Sequence, residues 1–384
     1  MSSQAHLAIK KHFGKLKDPR RAHGRQHLLL DIISIAICAV ICGSDDWQQV
    51  ATFGRERRDW LKRFLQLPKG IPSHDTFERV FDRIDPAAFQ ACFRNWIEAL
   101  CEAMLIEHVA IDGKTLRGSG TSKLGALHLV SAWATAQHLN LGQVAVADKS
   151  NEITAIPKLL ELLDLQGALV TIDAMGCQKE IAAKIRERGG DYALVVKDNQ
   201  PTLRDDIHAC LTRAFENDFV GFQCDQYETK ERGHGRLEQR YYTILIDPPG
   251  LRQAELWEGL CVIGMCVSER TVAPDTADEH TSTETRCFIG SRKASAKVYA
   301  RALRNHWRTE NNQHWQLDVS FGEDKNRVTR RHGAENLALL RRLALALLKQ
   351  HPDPRSIACK RYAAALNPDF LAEVLRGEGD SGKP

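Results

Sequence analysis

The sequence predicts a two-part α/β protein, with an all-helical N-terminal region followed by a core in which strands and helices alternate around a sheet. Three observations carry this reading. Apolar residues recur at helical spacing from about His27 to Leu105. After His108 the pattern changes to short runs of β-formers, three in a meander and two more alternating with helices. Two of those runs, HVAIDGK and ALVTIDAM, carry an apolar stretch into the same Ile-Asp pair followed by a small residue.

The helical region reads as DIISIAICAVICG, DDWQQVATFGRERRDWLKRFLQL, SHDTFERVFDRI and PAAFQACFRNWIEALCEAM, separated by Gly and Pro breaks. It is assigned residues 1–105. The apolar run from Leu28 to Cys42 is interrupted by Asp31 and Ser34 and falls short of the roughly 20 residues a bilayer span needs. It therefore reads as a buried helix, and no membrane partner is expected. No secretory signal is expected, because the first residues lack an apolar centre. The third helix, short and behind a turn, has the outline of a helix-turn-helix, although a plain bundle gives the same pattern.

The core, residues 106–350, begins with HVAIDGK, ALHLVSAWA and LGQVAVADK as a meander. Helix ITAIPKLLELLDL, strand ALVTIDAM, helix QKEIAAKIRERG and strand DYALVVKD follow. That order is the one expected of a ribonuclease-H-like sandwich, in which the first strand lies beside the fourth. Asp112 and Asp173 are then predicted to be neighbours. Residues 221–291 form a β-rich insertion that could make a small sheet of its own. Helical periodicity returns near Ala294 and runs through VYARALRNHWRTENNQHWQLDV, and a final helix spans Glu335 to Lys349. Residues 351–384 read as a C-terminal tail whose last residues, GEGDSGKP, have the composition of a disordered segment.

Net charge is only +4, but the positive residues are unevenly placed. Lys10, Lys11, Lys15, Lys17, Arg20, Arg21 and Arg25 stand against one acid in the N-terminal arm, and further clusters lie at Arg55 to Arg63 and Lys325 to Arg342. Such clusters beside a carboxylate site suit a surface that follows phosphates. The 11 cysteines include no CxxC pair, which points to reduced thiols in the cytoplasm and away from zinc fingers.

Three acids far apart in sequence, Asp112, Asp173 and Glu310, are the candidate chemistry. Carboxylates are hard ligands for Mg²⁺ or Mn²⁺, and two such ions can activate a nucleophile and stabilise a leaving oxygen in phosphoryl transfer. Either aspartate alone reads more readily as a turn or cap residue, and it is the pairing with a helical acid in this strand order that favours catalysis. Asp318, Glu323 and Asp324 compete with Glu310 for the third place. His306, Glu310 and His314 recur four apart on one helical stripe, a pattern compatible with a transition metal but lacking HExxH spacing. Lys114 and the segment ERGHGR, with Gly233, His234, Gly235 and Arg236, supply cations and flexible backbone near the proposed site.

The blocks IDGKTLRGS, LHLVSAWA, KSNEITAIPKLLELLDLQGALVTIDAMGCQKEIA, ERGGDYALVVKDNQPTL, ERGHGRLEQRYY and HWRTENNQHWQLDVSFGED, in this order, resemble the ISAs-type insertion-sequence transposases, also met as H-repeat-associated proteins. The segment from DPRRAHGRQHLLLDIISIAICAVICG through GIPSHDTFERVFDRID resembles the domain that precedes the catalytic core in that family. The likeness runs from about Phe13 to Lys349. It implies a DDE transposase that cleaves and transfers strands at transposon ends with Mg²⁺, for which Mn²⁺ may be exchanged, and with two ions in the site. Asp112, Asp173 and Glu310 fall where the family's three acids fall. The implied partners are double-stranded DNA, both terminal inverted repeats and target, and a second copy of the chain in a synaptic complex. The setting is the cytoplasm, at the nucleoid. In the wider superfamily the glutamate helix often carries Tyr, Arg, Glu and Lys in turn, whereas here His306 stands four residues before Glu310 and Leu317 seven after. The DNA contacts are therefore expected from Lys114, His234, Arg236, Arg304, His306, Lys325 and Arg327 around the site and from Lys10, Lys11, Arg20 and Arg21 in the arm. A nuclease of the same fold without strand transfer, and a non-catalytic DNA-binding descendant, are the alternatives.

Overall fold

The computed structural model describes residues 9–101, 106–120, 125–146, 152–233, 235–275 and 278–376, with the backbone alone at 98, 100, 101, 310 and 311. The GEGDSGKP tail, His234 and the last residues of the third expected strand lie outside the described residues.

Helices α1 (Leu29–Ile41), α2 (Trp47–Glu56), α3 (Arg58–Leu61), α4 (His74–Phe81) and α5 (Pro86–Cys101) make the N-terminal region. Helix α1 is apolar on all sides and correspondingly buried on nearly all of them. Its one acid, Asp31, is not wasted in the core, because its Oδ2 accepts the Leu67 backbone N–H at 2.9 Å and pins the following loop. Asp46 caps α2 by accepting from Gln49 N at 2.8 Å. The expected single helix after Asp46 is broken at Arg57 into α2 and α3.

The core sheet has nine strands in the order β3-β2-β1-β4-β5-β9-β8-β7-β6. Strands β1 (His108–Thr115), β2 (His128–Ala134) and β3 (Leu139–Val146) form the antiparallel meander. Strands β4 (Leu169–Ile172) and β5 (Asp191–Val196) add on parallel to β1. This is the ribonuclease-H-like order, with β1 beside β4. Helices α6 (Glu152–Glu161), α7 (Lys179–Glu187) and α8 (Pro201–Glu216) cover one face through Leu159, Ile181 and Ile207. Helix α9 (Ala296–Thr309) covers the other through Tyr299, Ala300 and Leu303.

Two expectations are corrected. The insertion is not a separate sheet: β6 (Gln223–Gly233), β7 (Arg236–Ile246), β8 (Val262–Val272) and β9 (His280–Gly290) form an antiparallel meander. β9 pairs with β5 from Ala193↔Gly290 to Val196↔Cys287, so the meander continues the core sheet. The edge of β5 would otherwise leave a row of backbone groups unpaired beside the core. Nor is the segment after 350 only a tail. Helices α10 (Trp315–Val319), α11 (Gly333–Gln350), α12 (Ile357–Leu366) and α13 (Pro368–Arg376) complete the chain. The last two bury Ala364, Phe370, Leu371, Val374 and Leu375 in the same core as α1 and α11. Their brevity hid them in the sequence, since neither has more than ten residues. The helical region is thus one core closed by the C-terminal end of the chain. Among the described residues no helix is long and apolar enough to cross a membrane.

Part of the Lys325 to Arg342 cluster is interior. Arg342 Nη1 lies 2.9 Å from Glu323 Oε1, with the two side chains 1 % and 0 % exposed. Removing one member of such a pair strands the other charge, while replacing both with apolar residues is often neutral. Arg342→Met is expected to cost about 3–5 kcal/mol of unfolding free energy, most of it recovered in the Glu323→Leu, Arg342→Met double variant. Chemical denaturation of both variants measures this, and equal losses in the two would mean that packing, not charge, is what Arg342 supplies.

Candidate active site

The parallel pairing of β1 with β4 runs from His108↔Leu169 to Ile111↔Ile172. Asp112 and Asp173 are the next residues on each strand, and neighbouring strands lie about 4.8 Å apart. The two aspartates expected to be neighbours are therefore set side by side. They do not both end strands, however. β1 continues to Thr115, with Asp112 opposite Ser131 of β2, and it is β4 that stops. At Asp173 the chain turns, and Asp173 Oδ1 accepts from Met175 N at 3.1 Å and Gly176 N at 3.4 Å. Capping the turn and presenting a carboxylate are compatible roles for this residue, because Oδ2 is not used in the cap.

Asp112 Oδ1 accepts from Gly113 N at 2.8 Å, and Oδ2 faces His314 Nδ1 at 3.7 Å. Burial raises the Asp112 acid above the usual carboxylate range, with His314 and the Gly113 N–H opposing and the charges of Asp173 and Glu152 adding to it. Glu152 was not foreseen. At the head of a helix it reads as an ordinary first-turn acid, yet it is buried with Oε1 2.6 Å from His128 Nε2. Gly113 makes room for this pair, since a Cβ there would stand 2.5 Å from Glu152 Oε1 and 2.7 Å from His128 Nε2.

Alternate residues of a strand share a face, so His108 and Asp112 on β1 and Thr171 and Asp173 on β4 point to the side covered by α9. His306 of α9 is buried there. Its Nδ1 is 3.0 Å from Thr171 Oγ1, which is 2.8 Å from His108 Nε2, and His108 Nδ1 is 2.7 Å from Thr135 Oγ1. Burial pulls His306 down to about 4, opposed by Asp173 and Thr171. It pulls His108 down to about 3, with His306 and Arg301 adding to the effect. Both imidazoles are thus kept neutral in a chain of hydrogen bonds beneath the aspartates.

The expected continuous helix is interrupted just past α9 by one π-helical turn, Glu310–His314. The wider turn brings His314 round to Asp112 while His306 reaches Thr171, so the backbone of Glu310 is bracketed by two contacts to the aspartate-bearing strands. Such turns recur at functional sites. Lys349 Nζ donates to the Asn312 carbonyl at 2.8 Å, satisfying a backbone group within the turn. The two histidines therefore reach different strands, His306 to β4 and His314 to β1. Among the described residues no three His, Cys, Asp or Glu side chains cluster as a metal site.

The other acids considered for the third place are engaged elsewhere. Asp318 holds Lys114 Nζ at 2.7 Å, Asp324 stands 3.7 Å from the same amine and 3.6 Å from Arg117, and Glu323 is paired with Arg342. Lys114, expected to meet DNA, is instead buried at 8 % exposure within this group. Arg304 is taken up by Glu231 at 2.7 Å. Burial alone would raise the Glu231 acid, but Arg304, Arg240 and Arg308 bring it below its ordinary value. Arg236 is exposed at the hairpin end of β7, and Lys325 and Arg327 are exposed on the loop joined to Lys114 through Asp324. Lys10, Lys11 and Arg21 are exposed in the arm, where Arg20 binds Asp18 at 2.8 Å and the His27 carbonyl at 2.7 Å. A cleft of about 450 Å³ opens beside Asp112, walled by His306, Trp307, Arg240, Arg286 and Arg304. The Arg286 guanidinium lies 4.2 Å from the Trp307 ring centre.

A mixed sheet of this order, with two aspartates on neighbouring parallel strands, defines the ribonuclease-H-like class. Residues 104–347 match the transposase DDE domain family, and residues 10–97 match the domain associated with it. The YncI protein of Escherichia coli O157:H7, named as a candidate transposase, is 41% identical over 96% of this chain and 94% of its own. The H repeat-associated protein YhhI of Escherichia coli K12 is 38% identical over 97% of this chain and 98% of its own. Among solved structures, the piggyBac transposase synaptic complex with hairpin DNA aligns with 99% of this chain and 83% of that one at TM-score 0.42 and 9% identity, too loosely to carry an argument. The chain belongs to the transposase DDE domain family.

The neutral histidines set a pH dependence. Unfolded histidines take up protons near pH 6.5, so below that value the unfolded state binds protons that native His306 and His108 refuse. Their contribution to stability is complete above about pH 6.5 and is lost as pH falls toward the folded values of about 4 and about 3. His306→Gln is expected to make the fall of unfolding free energy between pH 6.5 and 4 shallower, as measured by urea titration across that range. An unchanged slope would mean that His306 is not held neutral.

Proposed function

We propose that this chain cleaves DNA at the ends of a mobile element and joins the freed ends to a target, with Asp112, Asp173 and Glu310 as the catalytic acids. The observation that carries the reading is the Ile111↔Ile172 register, which sets two carboxylates together below the turn that bears Glu310. The donor set fits a hard dication. Asp112 is a buried carboxylate beside a second one, and its nearest cation candidate is a histidine at 3.7 Å that burial keeps toward its neutral form. Asp112 and Asp173 would hold Mg²⁺ jointly, or Mn²⁺ in its place, with Glu310 completing the shell for a second ion. What such ions supply when bound is activation of an attacking hydroxyl and charge relief at the leaving oxygen.

The remaining tasks fall to the protein. The His306–Thr171–His108 chain holds the end of α9 against β4, so that the helical acid keeps its register with the strand acids. Gly113 and the Glu152–His128 pair fix the backbone on the far side of Asp112. Arg240, Arg286 and Arg304 give the adjoining cleft cations that a phosphate backbone can draw away from Glu231, Glu238 and Glu284. Arg236, Lys325 and Arg327 extend that surface toward double-stranded DNA, and the arm supplies further cations for it. Two copies of the chain would bring two ends together, acting at the nucleoid in the cytoplasm.

Asp112→Asn, Asp173→Asn and Glu310→Gln are each expected to lower Mg²⁺-dependent cleavage of cognate end DNA by at least about 10²-fold, the effect of losing roughly 3 kcal/mol or more from the barrier. DNA binding in the absence of metal should be retained. Cleavage at the wild-type rate in any one of them removes that residue from the site. End-labelled substrates separate the two activities, because cut products without joined strands would identify a nuclease that does not transfer.

A further inference from the structure

We propose that a second groove, formed by the N-terminal arm, α4 and the loop before α11, binds the sugar-phosphate backbone of duplex DNA away from the cleavage centre. The groove encloses about 910 Å³ and shares no lining residue with the cleft at Asp112. Arg20 and Arg21 stand on the arm wall, Arg79 and Arg83 on the α4 wall, and Arg331 at the end, with three histidines between them. Arg20 and Arg79 have carboxylate partners in Asp18 and Asp75. Arg21, Arg83 and Arg331 form no ion pair among the described residues, although each is available to the groove.

The one acid in the lining, Asp82, is attracted to Arg83 and Arg331 as well as to Arg330 but closes no ion pair with them among the described residues, so it offsets the groove's charge only in part. Asp82 is 6 % exposed and is turned to the start of α11, where a Cβ on Gly333 would come within 2.5 Å of its Oδ1. The partial positive charge of a helix N-terminus suits a carboxylate there. Arg331 itself has φ 40°, a left-handed conformation rare for a side chain of this size, and lies just before the close Gly333–Asp82 approach.

The distribution of the cations selects the ligand. Arg79 lies on α4 and Arg83 in the turn that follows it, while Arg20 and Arg21 come from the arm. Five arginines from the arm, from α4 and its following turn and from the loop before α11 share a groove of about 910 Å³, which suits a polymer with spaced phosphates better than a single small anion. Bare guanidinium groups replace condensed counterions on DNA, which ties affinity to salt. The groove is built by both matched regions, since the arm and α4 lie within residues 10–97 and Arg331 within 104–347. DNA held here would bridge them. That the polyanion is DNA rests on the transposase reading, whereas the groove and its free charge do not.

The test is binding of a labelled duplex of arbitrary sequence to the full chain in EDTA, across a salt series, by fluorescence anisotropy. The Arg21→Gln, Arg83→Gln, Arg331→Gln triple variant is expected to bind at least about tenfold more weakly near 0.15 M salt, with the slope of log affinity against log salt reduced by about 2–3. The corresponding Arg→Lys triple should stay within about threefold of wild type, because a point charge suffices for a phosphate. Because binding is read in EDTA, where no metal-dependent cleavage takes place, loss of the groove is read separately from failure of the catalytic reading. A folded Gln triple with unchanged affinity and slope overturns the proposal, as does a Lys triple as weak as the Gln triple. Competition by inorganic phosphate as effective as by duplex at equal charge would also overturn it, by making this a small-anion site.

Discussion

The parallel pairing of β1 with β4 is the constraint on which the rest of the site depends. Side chains alternate across a strand, so a slip of one residue between these strands would turn Asp173 to the opposite face from Asp112. The register is held from both ends. Apolar residues of β1 and β4, Val109, Ile111, Val170 and Ile172, enter the core beneath α6 and α7, while His108 and Thr171 bond each other on the α9 side. A buried polar chain of this kind is favourable only when all its members are satisfied, which makes it intolerant of a shifted register.

The same chain ties α9 to the sheet, and through α9 the π-helical turn. A regular helix would carry His306 and His314 past the sheet at different heights and angles from those observed. The extra residue of the wide turn costs backbone regularity, and Lys349, reaching from α11, contributes a hydrogen bond to its carbonyl. The segment that bears Glu310 is therefore placed by contacts from β4, from β1 and from the helical core together. The C-terminal helices act on this arrangement indirectly: by closing the core of α1 and α11 they anchor the helix from which Lys349 projects.

The β-insertion and the helical region give the molecule two charged clefts of different character. Beside Asp112 the arginines are nearly all balanced by Glu231, Glu238 and Glu284, so the cleft is close to neutral until a stronger anion competes. Between the arm and α4, three arginines close no ion pair among the described residues, and Asp82 offsets them only in part. The net charge of +4 conceals this division, because it sums balanced and unbalanced patches alike.

Much of the fold was legible in the residues. The change from helical to alternating periodicity at His108, the meander followed by α-β-α-β, and the repeated Ile-Asp endings determined the strand order, and with it the neighbouring aspartates, because period and length are local properties of a chain. The joining of the insertion to β5, the two short helices after Ser356, and the wide turn at Glu310 were decided only by tertiary contacts, since each satisfies a backbone edge or an apolar face that sequence neighbours cannot supply. The same division holds for the ionisable groups. The repeated strand endings made Asp112 and Asp173 candidates, whereas only the three-dimensional arrangement showed that Asp318, Glu323 and Asp324, the rivals of Glu310 for the third place, are neutralised by Lys114, Arg117 and Arg342, and revealed Glu152 beside Asp112. A carboxylate's role depends on which charges reach it, and that is a matter of distance in space.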